Sequence, residues 1–271
     1  MFRLIGAIGN NPKPLHYILY KKIERSLKGK NYTYHNRIYD GRVERSHYAL
    51  CIYESAKLAQ KLGIRKISII ELGVAGGLGL INIEEHVAKI KAEFEMEFQI
   101  YGFDMESGLP KSDDYRDLLY KWPESSYEMN RELLQEKLKS AELIIGDVKE
   151  TCQNFYEKYQ PAPIGCVFFD LDYYTSTRDS FQLFRTDQKN YLPRVLSYFD
   201  DIRFTNKYVG ELCAIEEFNE THKTKKIVRP FNFHHYRPNV LRADRIFEFH
   251  DFLHPNYNSR ITDGIPQRPI S

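Results

Sequence analysis

The chain has 271 residues, 42% of them hydrophobic, and a formal charge of +2. That length buries a sizeable core as one large α/β domain or two small ones, and the near-neutral balance argues against electrostatic attraction to nucleic acid or an anionic membrane. No apolar run approaches the roughly 20 residues of a membrane span, and Asn and Pro interrupt the apolar start where a signal peptide would continue, so a soluble, cytoplasmic protein is expected.

Residues 1–46 are irregular, rich in Tyr, Asn, Lys and Arg, with one candidate helix around Leu15 to Leu27, and read as a lid or an oligomerisation arm. From Ser46 the pattern sharpens: Ala49, Ile52, Tyr53, Ala56 and Ala59 fall on one helical face and Gly63 is a natural stop. A strand Lys66 to Glu71 leads into Gly73-Val74-Ala75-Gly76-Gly77-Leu78-Gly79, and Ile81 to Phe94 reads as a helix. The alternation repeats with a strand Phe98 to Phe103, a helix Arg131 to Leu138, a strand Glu142 to Ile145 and a helix from about Glu150 to Tyr159. The apolar run Ile164 to Phe169 then breaks into Asp170-Leu171-Asp172, and Ser176 with Asp179 has the spacing of a capping box that opens the next helix. Val195 to Phe199 is a fifth strand and Glu211 to Asn219 a helix. Two aromatic strands, Ile227 to Phe233 and Arg245 to Phe249, form a terminal hairpin, and residues 254–271 look like a loose tail. Strands alternating with helices imply right-handed crossovers and a parallel sheet. The expected fold is α/β, a Rossmann-like doubly wound seven-stranded sheet, mostly parallel with an antiparallel C-terminal hairpin, in one domain over residues 47–253.

Four parallel strands run directly into an acid, Glu71, Asp104, Asp170 and Asp200, and the third reaches Asp147 after one glycine. In a parallel sheet these ends share one edge, where ligands bind. Crowded like charges destabilise a fold unless a cation or hydroxyl donors compensate, so a ligand is expected there. The glycine segment after the first strand is either a nucleotide-binding turn or a plain tight turn; it is not G-x-G-x-x-G, and no Walker lysine follows. Asp104 stands where an acid accepts hydrogen bonds from the ribose of NAD or of any adenosine ligand.

Five segments occur in order: Glu71 to Gly77, Phe103 to Pro110, Gly146 to Thr151, Asp170 to Thr177 and Phe199 to Ile202. Together, over roughly residues 65–220, they resemble the class I S-adenosylmethionine-dependent methyltransferases, in particular the macrocin O-methyltransferase-like (TylF-like) family. The resemblance implies an O-methyltransferase of a small-molecule hydroxyl, on a sugar or another natural-product-like acceptor, with S-adenosyl-L-methionine as cofactor and Mg2+ assistance, and allows a homo-oligomer. It places Glu71, Gly73, Ala75, Gly77, Asp104, Met105, Asp147, Val148 and Asp170 around the cofactor, and Asp170, Asp200 and Asp201 around the metal. Three hard carboxylates suit Mg2+, which prefers octahedral oxygen ligation. Asp170 and Asp172 are the catalytic candidates: two positions apart, they share a side if the strand persists, so Asp172 is either the general base or a cap for the following loop. The chain departs from the family pattern at Thr175, where Glu is usual, and at Pro193-Arg194-Val195, where a Pro-Gly-Gly turn is usual.

An NAD(P)-dependent oxidoreductase and a non-catalytic protein of the same fold are the competing readings. His234, His235, His250 and His254 are expected to be solvated or satisfied in the core, since adjacent strand residues face opposite ways. The four cysteines (Cys51, Cys152, Cys166, Cys213) show no C-x-x-C spacing, and buried thiols are expected.

Overall fold

The structure is a computed structural model that describes residues 32–230 and 239–259. The candidate helix Leu15 to Leu27, the pair His234 and His235, and most of the tail lie outside the described residues.

Seven strands form one sheet: β1 (Lys66–Leu72), β2 (Glu97–Asp104), β3 (Glu142–Ile145), β4 (Ile164–Phe169), β5 (Tyr191–Phe199), β6 (Lys225–Val228) and β7 (Ile246–Asp251). Their order is β3-β2-β1-β4-β5-β7-β6. β1 to β5 pair in parallel, and β7 runs antiparallel to both β5 and β6. The chain starts in the middle of the sheet, winds outward through β2 and β3, and then returns to lay β4 on the other side of β1. That reversal opens a crevice beyond the carboxyl ends of β1 and β4, where doubly wound sheets take their ligands.

The helices are α1 (Tyr34–Tyr39), α2 (Ser46–Lys61), α3 (Leu78–Phe94), α4 (Arg131–Lys137), α5 (Val148–Tyr159), α6 (Tyr174–Ser180) and α7 (Gly210–Thr221). β4 is buried along its whole length because both faces are covered, which explains an unbroken apolar run in place of alternation. Successive side chains leave opposite faces. Phe168 stacks on Tyr48 of α2 at 4.0 Å, while Phe169 stacks on Phe199 at 4.4 Å and meets Phe181 on the other side. Phe181 continues the layer to Phe218 of α7. Close packing of α2 on β4 also uses Ser55, whose hydroxyl donates to the Gly165 carbonyl at 2.9 Å.

Several sequence expectations are corrected. The helix after β4 begins at Tyr174, two residues before Ser176, so Ser176 is no N-cap. The amide of Thr175 is capped instead by Asp117, 58 residues away, at 2.8 Å. Tyr191 already belongs to β5, and Pro193-Arg194-Val195 lies inside that strand, not in a turn before it. The first hairpin strand is Lys225–Val228, shorter and earlier than Ile227 to Phe233. The tail is tied down at two points: His254 is buried and its ring contacts the Gln188 carbonyl, and Arg194 of β5 donates to the Tyr257 carbonyl. His250 lies between Glu248 and Tyr257, so the two described hairpin histidines are satisfied by protein groups. All four cysteines are free and buried. Among the described residues no helix is long and apolar enough to cross a membrane.

Candidate active site

The registers bring the carboxyl ends of the central strands level. Leu72 pairs with Phe103 on one side and Phe169 on the other, and Phe169 pairs with Phe199. The amides of Asp170 and Asp200 extend these ladders by one bond each, to the Leu72 and Phe169 carbonyls. Glu71, Asp104, Asp170 and Asp200 therefore open on one cavity of about 670 Å³, with the glycine turn as one wall.

Gly73 has φ +84°, and a Cβ there would stand 1.9 Å from the Asp170 carbonyl oxygen, so only glycine lets the β1 turn cross β4 this closely. The turn is fastened by Asp104, whose Oδ2 accepts from the amides of Val74 and Ala75 at 2.8 Å each. Its Oδ1 accepts from the Glu106 amide at 2.7 Å. Ala75 takes a left-handed φ of +45° within this cradle, and Gly77 leads into α3 with φ +79°. Asp147 caps α5, accepting from the Lys149 amide at 2.8 Å, so that helix starts at Val148, two residues earlier than expected. Met105, Asp147 and Val148 line the same cavity.

Glu71 is 2% exposed. Tyr48 donates to its Oε1 at 3.1 Å, and its Oε2 has no partner among the described residues. Burial, then the charge of Asp170, pushes its pKa up to about 8. Space for this carboxylate comes from Gly79 at the start of α3, where a Cβ would lie 1.9 Å from Oε1.

Asp170, Asp200 and Asp201 each present an oxygen within 4.8 Å of the others. Burial, then the neighbouring Asp200 and Asp201, pushes Asp170 up to about 8. One oxygen of Asp200 is already engaged: Tyr198 donates to Oδ1 at 2.5 Å, and Arg242 and Arg245 reach it at 2.7 and 3.0 Å. Its other oxygen is the one left for a cation. Asp172 does not continue the strand; β4 ends at Phe169 and Asp172 turns left-handed at φ +58°. It lines the cavity through that turn and hydrogen-bonds Asp201. Burial and the adjacent acids push Asp172 up to about 9, so at neutral pH it carries a proton toward Asp201.

Several cavity residues escaped the sequence reading. Arg45 enters from the residue before α2. Lys121, Trp122, Tyr127 and Phe204 also line the cavity, with the Lys121 ammonium 3.8 Å from the Phe204 ring centre. Behind the acids Glu211 is wholly buried, and neither carboxyl oxygen has a partner among the described residues; burial and then Asp201 push its pKa well up. The loops that supply Lys121 to Tyr127 and Phe204 carry no periodicity, and Arg45 lies outside every strand end, so local pattern gives no signal for them.

No protein-family model and no curated protein matches the chain. Solved structures with a similar chain course include CalS11, a calicheamicin methyltransferase, 19% identical over 81% of this chain and 91% of that one, with a TM-score of 0.48. An O-methyltransferase from Bacillus cereus in complex with SAH is 14% identical over 88% and 90%, with a TM-score of 0.38. MycE, the methyltransferase from the mycinamycin biosynthetic pathway in complex with Mg, SAH and mycinamycin VI, is 19% identical over 49% and 28%, with a TM-score of 0.28. At this distance the likeness is one of fold, and what the cavity can hold follows from its own residues.

Proposed function

We propose that the protein is an S-adenosylmethionine-dependent O-methyltransferase acting on a hydroxyl of a small molecule, a sugar or a phenol-like ring. The observation that carries this reading is one cavity holding both a glycine cradle tied by Asp104 and, within reach of it, the acids Asp170, Asp172, Asp200 and Asp201. The donor chemistry fits the cofactor: the unpartnered Oε2 of Glu71 and the acidic edge suit a ligand that carries positive charge. It also fits a hard divalent cation, since Asp170, Asp200 and Asp201 offer only carboxylate oxygens.

In this reading the cofactor brings a methyl group on a sulfonium, and a cation held by Asp170, Asp200 and Asp201 would lower the pKa of an acceptor hydroxyl. Trp122, Tyr127 and Phe204 support the acceptor ring. When bound, the cofactor would supply the methyl group for the acceptor oxygen and would leave as the neutral thioether. The acceptor proton passes to Asp172, which must first be free of its own.

Calorimetry tests the reading. S-adenosylhomocysteine is expected to bind wild type and to bind Asp104→Ala at least about tenfold more weakly, because the cradle loses three charge-assisted amide contacts. Methyl transfer to a panel of sugars and phenols follows, with and without EDTA. A folded protein that binds neither S-adenosylmethionine nor its product, or binds a nicotinamide dinucleotide instead, overturns the proposal. Transfer that is unchanged in EDTA removes the cation alone.

A further inference from the structure

Lys121 lines the cavity, yet among the described residues its ammonium forms no ion pair and no hydrogen bond. It rests on two rings instead, 3.8 Å from the centre of Phe204 and 5.0 Å from that of Trp122, and these rings meet edge to face. The backbone beneath it is built for the purpose. The Lys121 and Trp122 amides both donate to the Leu118 carbonyl, at 2.8 and 3.1 Å, and Leu118 turns left-handed at φ +54°. Trp122 is buried with Leu118 and Tyr173, and the Tyr173 hydroxyl donates to the Trp122 carbonyl at 3.0 Å. The ends of the loop are closed where the Leu109 amide donates to Ser126 and the Ser125 amide to Leu109, at 2.9 Å each. The cation thus stands on a fixed support, unlike a lysine on a free surface.

The charge of Lys121 reaches Asp201, whose carboxyl burial pushes up, although the two lie beyond ion-pair distance. Tyr127, held at a left-handed φ of +67°, lies close to the same acids: burial, then Asp172, Asp201 and Asp170, pushes its phenol up. Aromatic faces and an unanswered cation therefore border the acids in one cavity. A neutral ring laid on Phe204 and Trp122 would strip water from the ammonium and give it no partner, which costs free energy; a ring carrying an anion turns that cost into a contact. We propose that Lys121 selects an acceptor with a carboxylate on its ring. The hydroxyl to be methylated faces Asp170 and Asp201, the ring lies on Phe204 and Trp122, and the carboxylate pairs with the ammonium. The proposal rests on the methyl-transfer reading and narrows its sugar or phenol to an acidic one, a uronic acid or a hydroxylated aryl acid.

The test is calorimetry at neutral pH on protein saturated with S-adenosylhomocysteine and Mg2+, with two matched pairs of acceptors. One pair is 3,4-dihydroxybenzoate and its amide, the other glucuronate and its amide. In at least one pair wild type is expected to bind the acid about fivefold or more tightly than the amide, the size of one partly exposed ion pair, and which pair does so tells an aryl from a uronic acceptor. Lys121→Gln removes the charge from an exposed position, and the ratio should fall to within about twofold; Lys121→Arg should keep most of it. A lysine that only braces the loop would weaken acid and amide alike and leave their ratio as in wild type, and that result overturns the proposal, the anion then being drawn by the cation or the cofactor. Equal binding of acid and amide by wild type, or binding of neither acid, overturns it as well. Each of these leaves methyl transfer standing while S-adenosylhomocysteine binds; wild type that does not bind S-adenosylhomocysteine overturns both. Lys121→Met, which sets an apolar end on the same rings, takes the place of Lys121→Gln should the latter fail to fold by circular dichroism.

Discussion

Replacing Glu71 by Gln should flatten the pH dependence of stability. Glu71 is buried, and its pKa rises from 4.5 to about 8, chiefly through burial and then through the charge of Asp170, against the pull of the Tyr48 hydroxyl and Arg45. Between those values the folded chain keeps a proton that the unfolded chain has released. The stability linked to this group is therefore fully present below about pH 4.5 and is lost as pH rises toward about 8. One such proton gives a slope of at most about 1.4 kcal/mol per pH unit, or roughly 2–3 kcal/mol between about pH 5.5 and 7.5. Asp170, pushed up to about 8, and Asp172, up to about 9, slope the same way, so wild type should fall more steeply than one proton requires. Glu71→Gln keeps the shape and the acceptor for Tyr48 but cannot titrate, and should remove about 1.4 kcal/mol per pH unit from the slope. Urea unfolding of ligand-free, EDTA-treated protein at three pH values measures it. Parallel curves for wild type and variant would mean that Glu71 is ionised in the folded chain, and the account of its environment would fail.

Gly79→Ala should destabilise by about 1–3 kcal/mol, against the usual gain of about 0.5–1 kcal/mol for this change in a helix, because the new methyl meets Glu71 Oε1 at 1.9 Å. The loss should shrink in a Glu71→Ala background, as thermal or urea unfolding of the four proteins of the cycle will show. Asp117→Ala strips the Thr175 amide and hydroxyl and the Ser112 hydroxyl of their acceptor, and should cost about 1–3 kcal/mol. The same change should expose residues 112–121 to limited proteolysis while S-adenosylhomocysteine affinity holds; a loop as resistant as wild type would refute the anchor. Mg2+ should raise the melting temperature of wild type but not of Asp170→Asn, and its binding should release protons, since Asp170 and the Asp172–Asp201 pair hold them beforehand. Binding heats that do not depend on the buffer's ionisation enthalpy would contradict that last step.

The strands were legible because hydrophobic runs of four to nine residues are local, and a buried parallel strand announces itself by its apolar run whatever it packs against. So were the acids at their ends: Glu71, Asp104, Asp170 and Asp200 follow directly from strand boundaries, and parallel pairing with level registers brings them to one edge. Boundaries fixed by distant partners were not legible. Helix α6 begins at Tyr174 because Asp117 caps it from another loop, a fact invisible to a pattern that reads Ser176 and Asp179. Thr175, a departure from the expected Glu, is spent on that anchor, its hydroxyl donating to Asp117 at 2.8 Å.

Asp172 shows the difference at one residue. Its sequence placed it two positions from Asp170 and left base and cap equally open; extension of the strand was the only way to imagine both acids on one side. The tertiary structure puts them in one cavity by the opposite means, a left-handed turn that brings Asp172 against Asp201. Arg45, Lys121, Phe204 and Glu211 enter the cavity or its floor only because helices and loops far apart in sequence converge there. Periodicity and spacing report what a residue's near neighbours do, and so the sequence determined the sheet and its acidic edge. Which cations face those acids, which proton they share and which oxygen each leaves free depend on distances of 3 to 5 Å across the fold, and only the folded chain decides them.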